Sequence, residues 1–135
     1  MQENLKKYSI LEKFNVSRET CIDFERFVDL IITKNSEINL ISKESEEIIR
    51  ERHIIDCAQA IDFIELNDNI CTDIGTGGGF PGVILAIITK NANCQIKFNF
   101  FEKSYHKSLF LKQVSKKLNL NTEIFQKDVF EGQYQ

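Results

Sequence analysis

The pattern of apolar and polar residues divides the chain into a helical first half and a second half in which strands alternate with helices. Polar residues 35–42 interrupt the first half and predict a loop or a short turn. Ser17 and Ser45 are placed to cap the helices on either side, because a serine hydroxyl can accept a hydrogen bond from the first helical turn. The apolar residues at helical spacing are Leu5, Tyr8 and Leu11, then Ile22, Phe27, Leu30 and Ile31, then Ile48, Ile54, Ile55, Ala58 and Ile61.

In the second half, short apolar runs predict strands at Ile70–Ile74, Gln95–Phe101 and Thr122–Gln126. Helical patterns occupy the two intervals, from Pro81 to about Lys90 and over Ser104–Leu118. This alternation predicts an α/β protein with a parallel sheet and a helical cap at its N-terminus. The residues expected to face inward from the second of these helices are Leu109, Phe110, Val114 and Leu118.

Composition and charge narrow the picture. The chain has 135 residues, 42% of them hydrophobic, which suits one domain with a core of its own. Its net charge of −3 means that any RNA contact must come from a local patch rather than from the whole surface.

The cysteines and the apolar runs bear on location. The four cysteines form no C-x-x-C pair and no histidine lies at zinc-ligand spacing, so we expect free thiols in a reducing cytosol and no bound metal. The N-terminus starts no signal peptide, and the longest apolar run, Val83–Ile88, is too short to cross a bilayer. These features predict a soluble cytoplasmic protein without a membrane partner.

The strongest local motif is the glycine-rich segment Asp73–Gly82, which joins the first predicted strand to the helix that follows. Glycines tolerate positive φ angles and let the backbone approach a ligand closely. The carboxyl end of a strand is also where open α/β sheets bind ligands. We therefore interpret the segment as a cofactor loop; the alternative is a tight turn that binds nothing.

A dinucleotide is one cofactor that such a loop can bind. Gly77, Gly79 and Gly82 have the G-x-G-x-x-G spacing of sites in which a pyrophosphate rests on a helix N-terminus. Pro81 argues mildly against an anion there, because it removes one amide donor.

S-adenosylmethionine, which has no phosphate, is the other candidate. Asp73, Gly75 and Gly77 can wrap its methionine part, with an acid meeting its ammonium group directly or through water. Glu102 ends the second strand, where a carboxylate can accept both ribose hydroxyls of either cofactor, unless it is merely a solvated strand end. Asp128, after the third strand, can face an adenine ring or be an ordinary loop acid.

Four segments together resemble the ribosomal RNA small subunit methyltransferase G family, once called glucose-inhibited division protein B. They cover roughly residue 30 to the end of the chain, and the R-H-I-x-D and G-F-P-G elements make the match specific. The segments are Asn39–Ser42, similar to N-L-[TI]-[SA]; Arg52–Cys57, similar to R-H-I-x-D-S with Cys57 for Ser; Asp73–Gly82, similar to D-x-G-T-G-x-G-[FL]-P-G; and Glu102–Leu111, similar to D-S-x-x-K-[KR]-x-x-F-L.

The resemblance implies a Rossmann-like fold that uses S-adenosylmethionine. Residues 1–66 would form the helical cap, and residues 67–135 the N-terminal half of the methyltransferase domain. The implied reaction transfers a methyl group to N7 of a guanine in 16S rRNA of the small ribosomal subunit. Because N7 has a free lone pair and no acid–base pair is evident, we predict no catalytic residue, and proximity would supply most of the rate.

The same resemblance implies roles for individual residues. By position, Gly75 and Phe80 match cofactor contacts in the loop, Glu102 matches the ribose-binding acid, and Val129 and Phe130 match contacts near the adenine. With Asp73 and Gly77 from the loop itself, these residues are the predicted cofactor site.

The chain also departs from the family pattern. Lys34 stands where many members have Trp, and His106 replaces a common Lys. Family members continue for several strands beyond the position of Gln135, including one with an Arg that faces cofactor or substrate. We therefore expect a C-terminally truncated member with an incomplete sheet, an open edge at its first strand, and an activity that the missing strands put in question.

RNA contacts are predicted at Arg52, His53 and Lys107. Arg52 is equally consistent with a structural pair with Asp56, its i, i+4 neighbour. Phosphate contact is also open to a cluster of basic residues for which a solvated helix face is the plainer explanation: Lys103, His106, Lys107, Lys112, Lys116 and Lys117.

Two other functions remain open at this point. One is a fragment of an NAD-dependent oxidoreductase that uses Gly77, Gly79, Gly82 and Glu102. The other is a non-enzymatic remnant that folds partly and binds little.

Overall fold

The structure is a computed structural model, and it describes residues 17–49, 54–59, 70–74, 80–92 and 94–127. The predicted first helix with Leu5, Tyr8 and Leu11, and the predicted core residue Ile61, lie outside these residues. The described elements are α1 (Arg18–Asn35), α2 (Lys43–Ile48), α3 (Ile55–Ala58), β1 (Ile70–Ile74), α4 (Gly82–Asn91), β2 (Lys97–Phe101), α5 (Tyr105–Leu118) and β3 (Thr122–Phe125).

The three strands form one parallel sheet in the order β1-β2-β3. In its register Asp73 lies beside Phe100, and Phe100 beside Ile124. Each strand is joined to the next by one helix, so the predicted parallel α/β arrangement and the incomplete Rossmann-like fold are confirmed. All three carboxyl ends consequently lie along the same edge of the sheet. We call this the carboxyl edge.

Both connecting helices cover the same face of the sheet. The ring of Phe100 lies against Gly82 at the start of α4, and the Thr122 hydroxyl donates to the Ser115 hydroxyl of α5 at 2.6 Å. Helix α1 packs in turn on α4 and α5. The largest fully buried side chains are Phe24, Phe27, Phe98, Phe100, Phe110, Ile31, Ile49, Ile54, Ile84 and Ile87.

The ends of the helices follow capping chemistry, with one correction to the sequence prediction. Ser17 caps α1 as predicted, and its hydroxyl oxygen accepts from the Thr20 amide at 3.2 Å. Ser45 does not cap α2. Ser42 does so instead, because its extended backbone lets its hydroxyl accept from the Ser45 amide at 3.1 Å.

Helix α5 also differs from its predicted burial. Leu109 is 42% exposed, whereas Leu111 is fully buried beside Phe110. The cause is the orientation of the helix about its axis, which periodicity leaves ambiguous by one position when three apolar residues stand in a row. The helix begins after Ser104, which caps it, and ends at Asn119 in the left-handed conformation.

The polar turn predicted for residues 35–42 is present, and Asn35 organises it. The side-chain oxygen of Asn35 accepts from the amides of Leu40 and Ile41, at 2.8 and 3.0 Å. Its side-chain nitrogen donates to Glu46 in α2 at 2.7 Å. One buried amide therefore fixes the connection between α1 and α2.

Candidate carboxyl-edge cofactor site

The candidate site begins where β1 ends, with Asp73. Its carboxylate oxygen Oδ2 accepts a hydrogen bond from the Gly82 amide at 3.0 Å. This bond closes the glycine loop, because it joins the end of β1 to the first residue of α4. Pro81 occupies the cap position of α4 and makes no side-chain capping bond, so Asp73 acts as the cap from across the loop.

Burial changes the acid–base behaviour of Asp73. Loss of hydration raises the pKa of the carboxyl from 3.8 to about 6, although the hydrogen bond from Gly82 opposes this shift. The group therefore changes its charge between about pH 5 and 7. A nearby cation would stabilise the charged form and lower this pKa again.

The other end of the loop is held by Phe80. Its ring is half-buried and packs against Phe27 of α1, with ring centroids 5.5 Å apart. The Phe80–Pro81 peptide bond is cis. The loop is thus attached to β1 through Asp73 and to α1 through Phe80.

Glu102 follows β2 directly at the carboxyl edge. It is only 7% exposed, and its amide donates to the carbonyl of Phe125 at 3.0 Å. Within the described residues its carboxylate has no hydrogen-bond or ion-pair partner. A carboxylate in this position that is unbonded within the described residues is a strong acceptor for ligand hydroxyls, because its hydrogen bonds are charge-assisted.

The remaining predicted residues divide into two groups. Lys107 lies in the first turn of α5, where its amide donates to the Ser104 hydroxyl at 3.3 Å. The other predicted site residues lie outside the described residues, so their roles stay predictions: Arg52, His53, Gly75, Gly77, Val129 and Phe130. The same holds for Gly79 of the dinucleotide motif and for Asp128, the possible adenine contact.

Two features of this region were not predicted from the sequence. The rings of Phe101 and Phe125 are stacked with centroids 4.8 Å apart, and the Lys127 ammonium lies 5.4 Å from the first ring. The bond between Asp73 and Gly82 was also missed. Pro81 could have indicated it. A proline at the cap position has no side-chain acceptor, so the amide of the next residue must find an acceptor elsewhere.

Gly82 leaves no room for a side chain. A Cβ at this position would lie 2.5 Å from Asp73 Oδ2 and 2.5 Å from the ring of Phe100. We expect Gly82→Ala to lower the free energy of unfolding by about 1–3 kcal/mol, because the buried ring must move. Urea denaturation measures this loss. Phe100→Leu removes the ring edge, so the double variant should lose less than the sum of the two single losses, and strict additivity would contradict the steric explanation.

Two grooves formed by described residues lie away from the carboxyl edge. One, of about 470 Å³, lies between α1 and α5 and is lined by residues that include Arg26, Lys34 and Lys117. The other, of about 250 Å³, is lined by residues that include Lys90, Cys94 and Asn121. None of the described helices is long and apolar enough to cross a membrane.

Comparison with known proteins gives a consistent result. The sequence model of the family described as rRNA small subunit methyltransferase G matches residues 20–135. A protein of Pelagibacter ubique named ribosomal RNA small subunit methyltransferase G is 50% identical, with 98% of this chain and 63% of the relative covered. A protein of the same name from Cereibacter sphaeroides is 31% identical, covering 86% of this chain and 56% of the relative.

A third protein of that name, from Gluconobacter oxydans, is 41% identical over 75% of this chain and 49% of its own length. The chain thus spans between about half and two thirds of the length of these curated relatives. The match covers both the helical first half and the strands of the carboxyl edge. The chain belongs to the rRNA small subunit methyltransferase G family.

Proposed function

We propose that this chain binds S-adenosylmethionine at the carboxyl edge and serves the transfer of its methyl group to N7 of a guanine in 16S rRNA. The observation that carries the cofactor assignment is the position of the Asp73 carboxylate at the N-terminus of α4, bonded to the Gly82 amide. Family membership supports the reaction and the substrate.

The bond at the start of α4 favours one of the two cofactors that the glycine spacing leaves open. A dinucleotide needs free amides at a helix N-terminus for its pyrophosphate. Here Pro81 has no amide hydrogen, and the Gly82 amide already donates to a carboxylate. A second anion at this position would be repelled by Asp73, whereas a cationic ammonium or sulfonium group would be attracted.

The residues at the edge would then have separate tasks. Glu102 would accept hydrogen bonds from the ribose hydroxyls, and Asp73 would face the ammonium group while it keeps the loop closed. When bound, S-adenosylmethionine supplies an electrophilic methyl group on a sulfonium sulfur. A methyl group held in this way would be open to attack by the lone pair of guanine N7, and the electrons of the broken C–S bond would stay on sulfur. No proton has to leave, so the protein contributes alignment rather than a base.

Calorimetry with the two cofactors tests the proposal. We expect heat of binding with S-adenosylmethionine and none with NAD; heat with NAD alone would contradict it. Transfer is followed with tritiated cofactor and small-subunit RNA that lacks the modification. Label at guanine N7, located by borohydride reduction and aniline cleavage, is the expected product, and label on another atom would refute the assigned reaction.

The pKa of Asp73 gives the proposal a second test. If its charged form faces the ammonium group, affinity for S-adenosylmethionine should fall about tenfold between pH 7 and pH 5, as protonation passes through a pKa of about 6. Asp73→Asn should bind weakly with little dependence on pH in this range. A pH-independent affinity of the unsubstituted chain would place Asp73 away from the ligand.

The folding stability of the unliganded chain should change with pH in the opposite direction to its affinity for the cofactor. A carboxyl whose pKa is raised on folding favours the folded state below its unfolded pKa of 3.8, and this contribution is lost as pH rises through about 6. Asp73→Asn should therefore gain stability relative to the unsubstituted chain as pH rises from 4 to 7. Urea denaturation at several pH values measures this difference.

A further inference from the structure

The outward face of α5 carries positive charge that no ion pair among the described residues balances. The helix contains four lysines and one histidine but no acidic residue, although the chain as a whole has 20 acidic and 17 basic residues. The positive charge is therefore concentrated locally on a protein of net negative charge. The basic residues of the helix are His106, Lys107, Lys112, Lys116 and Lys117.

Several lysines elsewhere in the described residues have ion-pair partners. Lys34 lies 2.7 Å from Glu37, Lys90 lies 2.8 Å from Asp23, and Lys97 lies 2.6 Å from Glu123. Among the described residues, no carboxylate pairs with any lysine of α5. Because their mutual repulsion is uncompensated, these lysines favour a polyanionic partner.

Exposed apolar groups share this face. Tyr105 is 56% exposed and Leu109 is 42% exposed. Lys112 and Lys116 follow at helical spacing, so all four side chains lie on one side of α5. An aromatic ring beside lysines is the combination that binds single-stranded nucleic acid, since the ring stacks on a base while the ammonium groups contact phosphates.

The same observations argue against a membrane surface as the partner. An interfacial helix inserts its apolar side into lipid. The apolar side of α5 is buried in the core through Phe110, Leu111 and Val114. Only Tyr105 and Leu109 remain for lipid, which is too little to hold the protein at a membrane.

The position of the face connects it to the candidate site. Tyr105 comes three residues after Glu102, and the helix then runs from there to Lys116, about 16 Å away at 1.5 Å per residue. A groove between α1 and α5 lies alongside and is lined by both basic residues, such as Arg26 and Lys117, and acidic ones, Asp29 and Glu37. We propose that Tyr105, Leu109, Lys112 and Lys116 form an RNA-binding face that holds a single-stranded segment next to the methylated guanine. This inference rests on the proposed function, to which it adds the residues that contact the RNA.

Fluorescence anisotropy with a short fluorescein-labelled RNA hairpin, whose loop is rich in guanosine, tests the face. The variant Lys112→Gln/Lys116→Gln should lower the slope of log affinity against log salt by about 1.4, because two phosphate contacts are lost on a single strand. The charge-matched control Lys43→Gln/Lys97→Gln, in other elements, should leave the slope unchanged. Tyr105→Ala should weaken binding about tenfold through lost stacking, and Tyr105→Phe should restore it.

Each outcome decides the inference. Equal slopes for the two double variants, or no binding of the hairpin by the unsubstituted chain, would overturn it. Calorimetry on the same variants separates this result from the proposed cofactor. Lys112→Gln/Lys116→Gln should bind S-adenosylmethionine as the unsubstituted chain does. If neither the unsubstituted chain nor any variant bound S-adenosylmethionine, but the two double variants still differed in the salt dependence of RNA binding, the proposed function would be refuted and the RNA-binding face supported.

Discussion

Asp23→Ala is expected to destabilise this protein by about 3 kcal/mol, because it leaves a half-buried ammonium group without its anion. Asp23 lies on α1 with a side chain only 9% exposed. Its Oδ2 accepts from Lys90 Nζ at 2.8 Å and from the Asn91 side chain at 3.0 Å. Lys90 donates in addition to the Leu118 carbonyl at 2.7 Å. Asp23 thus joins α1 to the end of α4, at a lysine that also holds the end of α5, and Asp23→Ala removes the link to α1.

Glu123→Ala is the matched control for burial. The Lys97–Glu123 pair is shorter, at 2.6 Å, yet its side chains are 43% and 50% exposed. Water screens such a pair, and its removal should cost no more than about 1 kcal/mol. Urea denaturation of both variants compares the two ion pairs directly. If both lost the same stability, burial of Asp23 would not be the source of its effect.

The second large effect is expected on ligand binding. Glu102→Gln should weaken binding of S-adenosylmethionine by about 100-fold, because two charge-assisted hydrogen bonds to the ribose become neutral ones. Its free energy of unfolding should not fall. Among the described residues no partner of the carboxylate loses a contact in this variant. Calorimetry and urea denaturation of the same preparation give both quantities.

Affinity and stability, measured together, distinguish a structural role of Glu102 from a role in holding the ligand. A structural role for Glu102 would lower stability and affinity together. A role in holding the ligand would lower affinity alone. Glu123→Gln, an exposed acid on the neighbouring strand, serves as the control; it should leave affinity unchanged and, because it weakens only an exposed ion pair with Lys97, cost no more than about 1 kcal/mol of stability. Unaltered affinity in Glu102→Gln would remove the carboxylate from the binding site.

Much of the fold could be predicted because it depends on local patterns. The bounds of β1 coincide with the predicted Ile70–Ile74, because a short apolar run that ends at glycines is typical of a buried strand. Ser17 was identified as a cap from its place before an apolar stripe. The position of Glu102 at the carboxyl edge follows from the parallel order of the strands.

The errors and omissions have physical causes of their own. Ser42 and Ser45 have the same capping chemistry, and only the backbone angles at Ser42 decide between them. The contacts of Asp23 with Lys90 and Asn91 join residues 67 and 68 positions apart, and no local pattern encodes such a distance. The rotation of α5 that exposes Leu109 depends on its packing against α1 and the sheet.

A crystal structure of this chain grown with S-adenosylmethionine would show directly whether the carboxyl edge is the cofactor site. We expect the ribose hydroxyls within hydrogen-bond distance of the Glu102 carboxylate and the ammonium group beside Asp73, with the loop between β1 and α4 around the methionine part. Density for the ligand at any other place, or a Glu102 side chain turned away from the ribose, would contradict this expectation.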